Sequence, residues 1–492
     1  MTRVRLVALL LTASTICPRL VTAPDDKWVE AKSPNFIVVT NGSERSARNL
    51  AWQFEQIRSA IQVGWPWARV QLDRPVVVIG AKDEETMEAL VPQFWESRGG
   101  TRPASVLRTS VDRHYIAVRS DVRGDDTPGI NPYISSYWSY SLLTFDAAFE
   151  RELPLWFRIG LAEVLSNSIV RDEEIQFGRQ IPWHLASLQS GRLRLAELIT
   201  LDTNSPYYTG GDTRSRFDAQ AWGVMHYMLF GRPEDRSDRV NALAKLLLDG
   251  TSSAEAISQV FGSVDALEEA YLQYQRKPIT NYARLKTDAN AISKNSPVRP
   301  LSPHEALNLR AGLHVAMNRL DDARPLLADS RKADAANPGS YDIEGQLFDR
   351  NRQTTEALTA YGKAVELNSQ NFYSHYRVAA SDSRSANAVA GLEKQARRVV
   401  ALNDAYAPAH SLLASVLLQG TEPASALEPA MKAVQLDQRD TFSRLTLARV
   451  YWRLSRRGEA MGLARSALML ARSDQQRAQA QELITFMQTN SK

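Results

Sequence analysis

Few residues in this chain have the type and spacing needed for bond-making chemistry. Its 492 residues include seven histidines and one cysteine. Cys17 lies in an apolar N-terminal segment without a lipoprotein context, so a mature chain would carry no thiol, and neither disulfides nor thiolate-bound zinc are expected. Zinc hydrolysis needs two histidines four residues apart on one helix face, with a glutamate beside the first to take a proton from bound water. No histidine stands between His114 and His184. His184 and His226 read as packed or hydrogen-bonded structural residues. The pairs Asp25-Asp26, Glu84-Glu85 and Glu173-Glu174 are adjacent in sequence and read as solvated. The chain has no phosphate-binding glycine-rich loop followed by Lys-Ser or Lys-Thr, no Gly-x-Ser-x-Gly elbow and no dinucleotide fingerprint. A serine–histidine pair assembled only in three dimensions stays open.

The elements that would position such residues change along the chain. Asn35–Thr40, Pro75–Ile79 and Tyr115–Val118 are β-branched or apolar runs expected as strands. Leu50, Phe54, Ile57 and Ile61 recur on one helix face, and Asp83 to Leu90 opens with the acids that favour a helix N-terminus. The result is a small α/β layer to about residue 120. From Tyr133 to about Arg276 the pattern is mainly helical, with helices expected near 134–151, 155–168, 217–230, 239–248 and 264–276. Polar sequence with Pro297, Pro300 and Pro303 then suggests a linker over 291–303, the halves on either side packing separately.

The last 190 residues repeat. Small residues fall in register at Ala311, Gly345, Ala414 and Ala448; at Ala323, Ala357, Ala426 and Ala460; and at Ser330, Ala364, Ala433 and Ala467. Most steps are 34 residues, and a unit carrying Ala380, Leu392, Val399 and Leu402 fills the middle gap. A 34-residue period with small residues where paired helices approach resembles the tetratricopeptide repeat. About five repeats over 304–472 are expected, with a closing helix after Asp474 and a concave face suited to a peptide or protein partner.

A second resemblance centres on Leu153-Pro154-Leu155-Trp156-Phe157-Arg158-Ile159-Gly160-Leu161-Ala162-Glu163. It resembles the second active-site helix of exported bacterial peptidase-MA-like proteins, gluzincin metallopeptidases in which the segment reads Leu-Pro-x-Trp-Leu-Asn-Glu-Gly-Leu-Ala-Glu. Ile181–Leu185, Ser205–Tyr208 and Ala219–Tyr227 also resemble the family, and the likeness spans roughly 28–232. It implies that Tyr137, Ser141 and Ile159 stand at the family's zinc-ligand positions and Trp138 at its catalytic carboxylate, with Glu163 matching the family's final glutamate as a remnant either on the helix surface or behind the metal ligands. None of the first four can do that work, so no catalytic residue, no metal and no cofactor is expected. The aromatics Tyr133, Tyr137, Trp138, Tyr140 and Trp156 read either as core or as lining of a former cleft that still holds a peptide.

The expected architecture is therefore α+β: a gluzincin-like α/β plus helical domain over 24–290, followed by an all-α tetratricopeptide solenoid over 304–492. The function implied is a non-catalytic exported binding or scaffold protein; the alternative is an active hydrolase or peptidase using residues outside the family's zinc motif. The formal charge of +4 falls to +1 without Arg3, Arg5 and Arg19, which excludes a broad basic surface for nucleic acid. Arg3 and Arg5 before the apolar Leu6–Ile16 run read as a signal peptide over 1–23, or as an uncleaved anchor, and no later stretch is apolar enough to span a membrane. Cell fractionation should place the chain outside the cytoplasm. An intact cytoplasmic protein would remove the export reading.

Overall fold

The computed structural model describes residues 27–96, 99, 102–122, 129–147, 153–171, 174–231, 236–286, 294–383 and 389–490. The expected signal segment, Cys17, Asp25-Asp26 and Glu173 lie outside the described residues. In chain order the first half contains β1 (Val29–Lys32), β2 (Phe36–Thr40), α1 (Glu44–Gly64), β3 (Val76–Ala81), α2 (Glu84–Leu90), β4 (Ser105–Thr109), β5 (His114–Arg119), α3 (Ile134–Asp146) and α4 (Leu155–Ser166). There follow β6 (Ile169–Val170), β7 (Glu174–Phe177), α5 (Pro182–Gln189), α6 (Leu195–Leu198), α7 (Pro206–Thr209), α8 (Gly211–Phe230), α9 (Arg236–Leu248), α10 (Ser253–Phe261), α11 (Val264–Gln275), β8 (Ala283–Lys286) and β9 (Val298–Pro300).

The main sheet runs β4-β5-β3-β2-β1-β9, with β2, β3 and β5 parallel and the outer strands antiparallel. Every residue of β3 is buried, the pattern of a strand covered on both faces. Val76 and Val78 join α1 in one core, while Val77 and Ile79 point into a second core on the opposite face. α1 begins at Ser43, whose side chain accepts from the Ser46 amide, and buries Leu50, Phe54, Ile57 and Ile61. Gly80 lies inside β3, where a Cβ would come within 2.7 Å of Leu50. The short strands β4, β7 and β8 escape the sequence pattern because they carry charged residues and are partly exposed, and β6 because it is only two residues long, so no apolar run marks them.

The second half is a chain of helix pairs: α12 (Pro303–Ala316) with α13 (Leu320–Ala333), α14 (Pro338–Arg350) with α15 (Thr354–Glu366), and α16 (Phe372–Asp382) with α17 (Val389–Leu402). α18 (Ala407–Leu417) then pairs with α19 (Leu427–Leu436), α20 (Thr441–Arg453) with α21 (Arg457–Leu470), and α22 (Asp474–Thr489) closes the stack. Ala311, Ala323, Ala357, Ala364, Ala414, Ala426, Ala433, Ala448, Ala460 and Ala467 are all fully buried where helices meet. Gly345 shows why size matters: a Cβ there would come within 2.5 Å of the Tyr361 ring. The turns repeat as well, since Asn318 and Arg352, 34 residues apart, share a left-handed φ of 61°. Ser455 takes up the same conformation at φ 62° in the last pair.

Two expectations need correction. In the middle repeat the fully buried residue is Ala379, not Ala380, so the register of α16 still follows Gly345 by 34. The extra residue of the register therefore falls between Ala379 and Leu392. The second correction concerns 291–303. Val298–Pro300 is the sheet's edge strand β9, paired with β1. α12 then lays Ala306, Leu309 and Leu313 on the sheet face made by Val39, Val77, Ile79, Tyr115 and Ala117. The halves share a core because that sheet face has no other helix long enough to cover it among the described residues.

No described helix is long and apolar enough to cross a membrane. Replacing buried Ala426 with phenylalanine should lower unfolding stability by about 1–3 kcal/mol through overpacking. Met469→Ala, at a position 81% exposed, should change it by no more than about 0.5 kcal/mol. Urea denaturation of both variants checks the difference.

Candidate functional site

α4 is pressed against α8 through Gly160, where a Cβ would lie 2.6 Å from the Ala221 carbonyl oxygen and 2.9 Å from Met225. This close approach explains the glycine in the segment that carries the peptidase resemblance. Together with α3 and α5 these helices enclose a cleft of about 340 Å³. Its walls include Trp138 from α3, Glu163 from α4, Trp183 and His184 from α5, and Asp218 from α8. Trp183 stands at the mouth, 49% exposed.

The charged groups of the cleft are paired. His184 Nε2 lies 2.9 Å from Glu163 Oε2; a carboxylate only accepts, so the imidazole carries its proton on Nε2. Arg214 Nε lies 2.9 Å from both carboxylate oxygens of Asp218, and its guanidinium sits 3.8 Å over the Tyr208 ring. Burial, reinforced by the Glu163 charge, pushes the Asp218 carboxyl up to about 6 despite Arg214. The ring of His184 packs 5.8 Å from Trp222, and Trp222 in turn lies 5.0 Å from His226. His226 is held between the Gly178 carbonyl at 2.8 Å and the Tyr274 hydroxyl at 3.0 Å, and burial lowers it to about 4, so it stays neutral.

Of the five cleft residues expected from sequence, Trp138 and Glu163 line the cavity and Tyr137, Ser141 and Ile159 do not. α3 packs on α4, and all three of the latter are buried. Tyr137 turns toward α1, where its hydroxyl donates to the Gln53 side chain and its ring meets Phe54 edge-on at 6.1 Å. Tyr140 packs against Phe36 and Phe54, and Trp156 donates to Ser253 Oγ at 3.1 Å, so these aromatics are core rather than cleft wall. Ser135, Ser166, Ser187 and Ser215 reach the cavity, but among the described residues no serine hydroxyl bonds to His184. Nor do the described residues contain a group of three or more His, Cys, Asp or Glu placed to hold a metal ion. Asp218 and Arg214 went unnoticed in sequence. The available signal was Asp218, Trp222 and His226 at successive steps of four, one face of α8 that gathers polar and aromatic groups.

The solenoid is not the open groove that its repeats imply. In α12 and α14 the residues following the packed Ala311 and Gly345 are Gly312 and Gln346, and both meet the first half. A Cβ on Gly312 would come within 2.3 Å of Tyr115 Oη, and Gln346 Oε1 accepts from Ser110 Oγ at 2.9 Å. Further along, Asn371 donates to Asp112 at 2.7 Å and Asn403 to the Asp73 carbonyl at 2.8 Å; Arg69 and Leu436, then Arg439 and Asp146, complete the line. The inner side of the first two repeats, and the turns that precede α16, α18 and α20, are thus occupied by the chain itself.

No protein-family model matches the chain, and no curated protein matches it by sequence. Solved structures with tetratricopeptide repeats do. YrrB, described as a tetratricopeptide protein with an unusual peptide-binding site, is 16% identical with a TM-score of 0.30, covering 36% of this chain and 90% of its own. A thermophilic tetratricopeptide protein of Thermus thermophilus is 20% identical with a TM-score of 0.28, covering 37% and 99%. The Cut9–Hcn1 hetero-tetramer of the APC/C is 15% identical with a TM-score of 0.30, covering 63% and 62%. The 34-residue register of helix pairs seen here is what makes the second half a tetratricopeptide solenoid.

Glu163→Gln should keep an acceptor for His184 while removing the charge that raises Asp218, so the Asp218 pKa should fall from about 6 toward the ordinary carboxylate value. Because the folded pKa exceeds the unfolded one, ionising Asp218 costs stability as pH rises from about 4 through 6, and the variant should flatten that slope. Carboxyl carbon NMR titration and pH-dependent denaturation measure the two effects.

Proposed function

We propose that this chain is a non-catalytic, exported protein-binding scaffold, built from a former metallopeptidase-like domain and a tetratricopeptide solenoid. The observation that carries the reading is what fills the positions where the peptidase resemblance would require metal ligands. Tyr137, Ser141 and Ile159 are buried core residues, and Trp138 presents an indole to the cleft. Zinc needs three protein donors at about 2.0–2.3 Å from one atom, and neither a hydrocarbon nor an indole supplies one. Of the remaining cleft carboxylates, Asp218 is paired with Arg214 and Glu163 accepts from the His184 ring. The stacked helix pairs support a binding role, since such solenoids present long surfaces to protein partners.

The second reading, a hydrolase working without the zinc motif, draws on one observation: Asp218, pushed up to about 6 by burial, shares the cleft with a second carboxylate, Glu163, and paired carboxylates are what acid–base hydrolysis uses. Two measurements separate the readings. The scaffold reading expects purified protein to carry no stoichiometric zinc and to leave a mixed peptide library uncut. Chelator-sensitive cleavage would overturn it, and chelator-insensitive cleavage abolished in Asp218→Asn would establish the hydrolase.

A further inference from the structure

The polar groups that line the cleft between α3, α4, α5 and α8 meet it mostly as acceptors. His184 donates its Nε2 proton to Glu163 Oε2, while Glu163 Oε1 has no hydrogen-bond partner among the described residues. Ser166 Oγ donates to the Glu163 carbonyl at 2.7 Å and Ser215 Oγ to the Gly211 carbonyl at 3.4 Å. Each of these hydroxyls therefore keeps only lone pairs for the cavity it lines. Each Asp218 oxygen accepts from Arg214 Nε and retains a further lone pair. Arg214 is not part of the cavity wall, and its guanidinium is engaged by Asp218 and the Tyr208 ring. The exception among the lining groups is Trp138, whose indole N–H is buried without an acceptor. At the mouth, the half-exposed Trp183 gives the cavity an aromatic rim.

We propose that this cleft binds one alkylammonium group, the side chain of a lysine in a partner peptide, and holds it without cutting the chain. The proposal rests on the non-catalytic scaffold reading and gives the cleft its ligand. An ammonium carries three donors, no acceptor and one positive charge, the complement of a cavity lined by lone pairs and two carboxylates. A guanidinium fits less well. Both Asp218 oxygens already accept from Arg214 and Glu163 Oε2 accepts from His184, so neither carboxylate offers two free oxygens to a planar fork. The lysine stem has the Trp183 ring to lie against at the mouth. Trp138 decides between sources of the amine: its indole N–H needs an acceptor, which a peptide carbonyl supplies and a free diamine does not. At about 340 Å³ the cavity takes a side chain rather than a folded surface. Burial and the neighbouring Glu163 charge push Asp218 up to about 6, and a bound cation relieves both effects.

The test is fluorescence anisotropy with the full chain and labelled octapeptides blocked at the N-terminus. They differ only in one central lysine, arginine or norleucine among glycines and serines. The lysine peptide should bind, and norleucine, which keeps the stem without the charge, should bind about tenfold more weakly or worse. Glu163→Gln and Asp218→Asn should each weaken the lysine peptide about tenfold. Trp183→Ala should weaken it severalfold with the fold intact, since the ring is half-exposed. Glu269→Gln, on α11 and outside the cleft, should change nothing. Affinity should fall as pH drops from about 7 to about 5, because Asp218 takes up a proton at about 6 and loses its charge. Glu163, His184 and Arg214 are the other charged groups facing it, and protonating Glu163 or His184 acts in the same direction; α3 brings no titratable side chain to the cavity. Equal binding of the norleucine peptide, or unaltered binding in both carboxylate variants, overturns the site. An arginine peptide, or a lysine-free peptide with an unblocked N-terminus, that binds as tightly overturns the lysine assignment. Free cadaverine that competes with equal affinity overturns the peptide source. Mass spectrometry of the recovered peptides keeps the two readings apart: cleavage overturns the scaffold reading, whereas intact peptides that do not bind remove the cleft ligand alone. Thermal melting of each variant controls for folding.

Discussion

Parallel strands cannot leave one face in water without losing the apolar burial that holds them, and β2, β3 and β5 are apolar on both sides. The α1 helix and the helical layer behind it satisfy one face. The other needs a long helix, and α12, the first helix of the repeat array, provides it. From this single act of covering, the rest of the arrangement follows. β9 is drawn into the sheet edge just upstream, the solenoid starts at a fixed angle, and its curvature carries α14, α16 and α18 past the β4–β5 turn and the loop at 69–74. α18 is consequently buried almost all round, unlike a solenoid helix with a free inner side.

Close helix approach is the second recurring device. Gly160 lets α4 touch the backbone of α8, and the alanines of the repeats let each helix pair stack on the next. A missing side chain brings backbones together, shortens the distance over which dispersion acts and leaves little room for substitution. The same requirement explains how the middle repeat tolerates an extra residue: the insertion is confined between Ala379 and Leu392, so each helix retains its own contact residue.

Charge is distributed according to what is buried. In the cleft, Glu163 with His184 and Asp218 with Arg214 keep two carboxylates from facing a low-dielectric interior alone, yet their proximity still raises Asp218. At the interface of the halves, Asp342 is likewise pushed up to about 6 by burial, in spite of hydrogen bonds from Ser369 and Ser374. Both sites accept that electrostatic cost within surroundings whose apolar packing is extensive.

The repeat register was legible in the sequence because it is a local, periodic constraint: every unit needs small residues at the same places, whatever surrounds it. Strands such as Val76–Ala81 were legible for the same reason, since continuous apolar sequence has few other uses. The expectation of no metal chemistry at Tyr137, Trp138, Ser141 and Ile159 rested on residue types alone. Only the tertiary structure decided which of these faced a cavity. Tyr137 and Trp138 are neighbours in sequence but face different surroundings, one in the core and one in the cleft, and no pattern of types distinguishes them. Asp218 joins Glu163 only because Gly160 brings α8 against α4. Likewise the prolines of 291–303 suggested a linker, because the sequence cannot reveal that a distant strand, β1, lacks a neighbour. Those long-range pairings depend on which surfaces are left uncovered once local structure has formed, and that is settled by the fold as a whole.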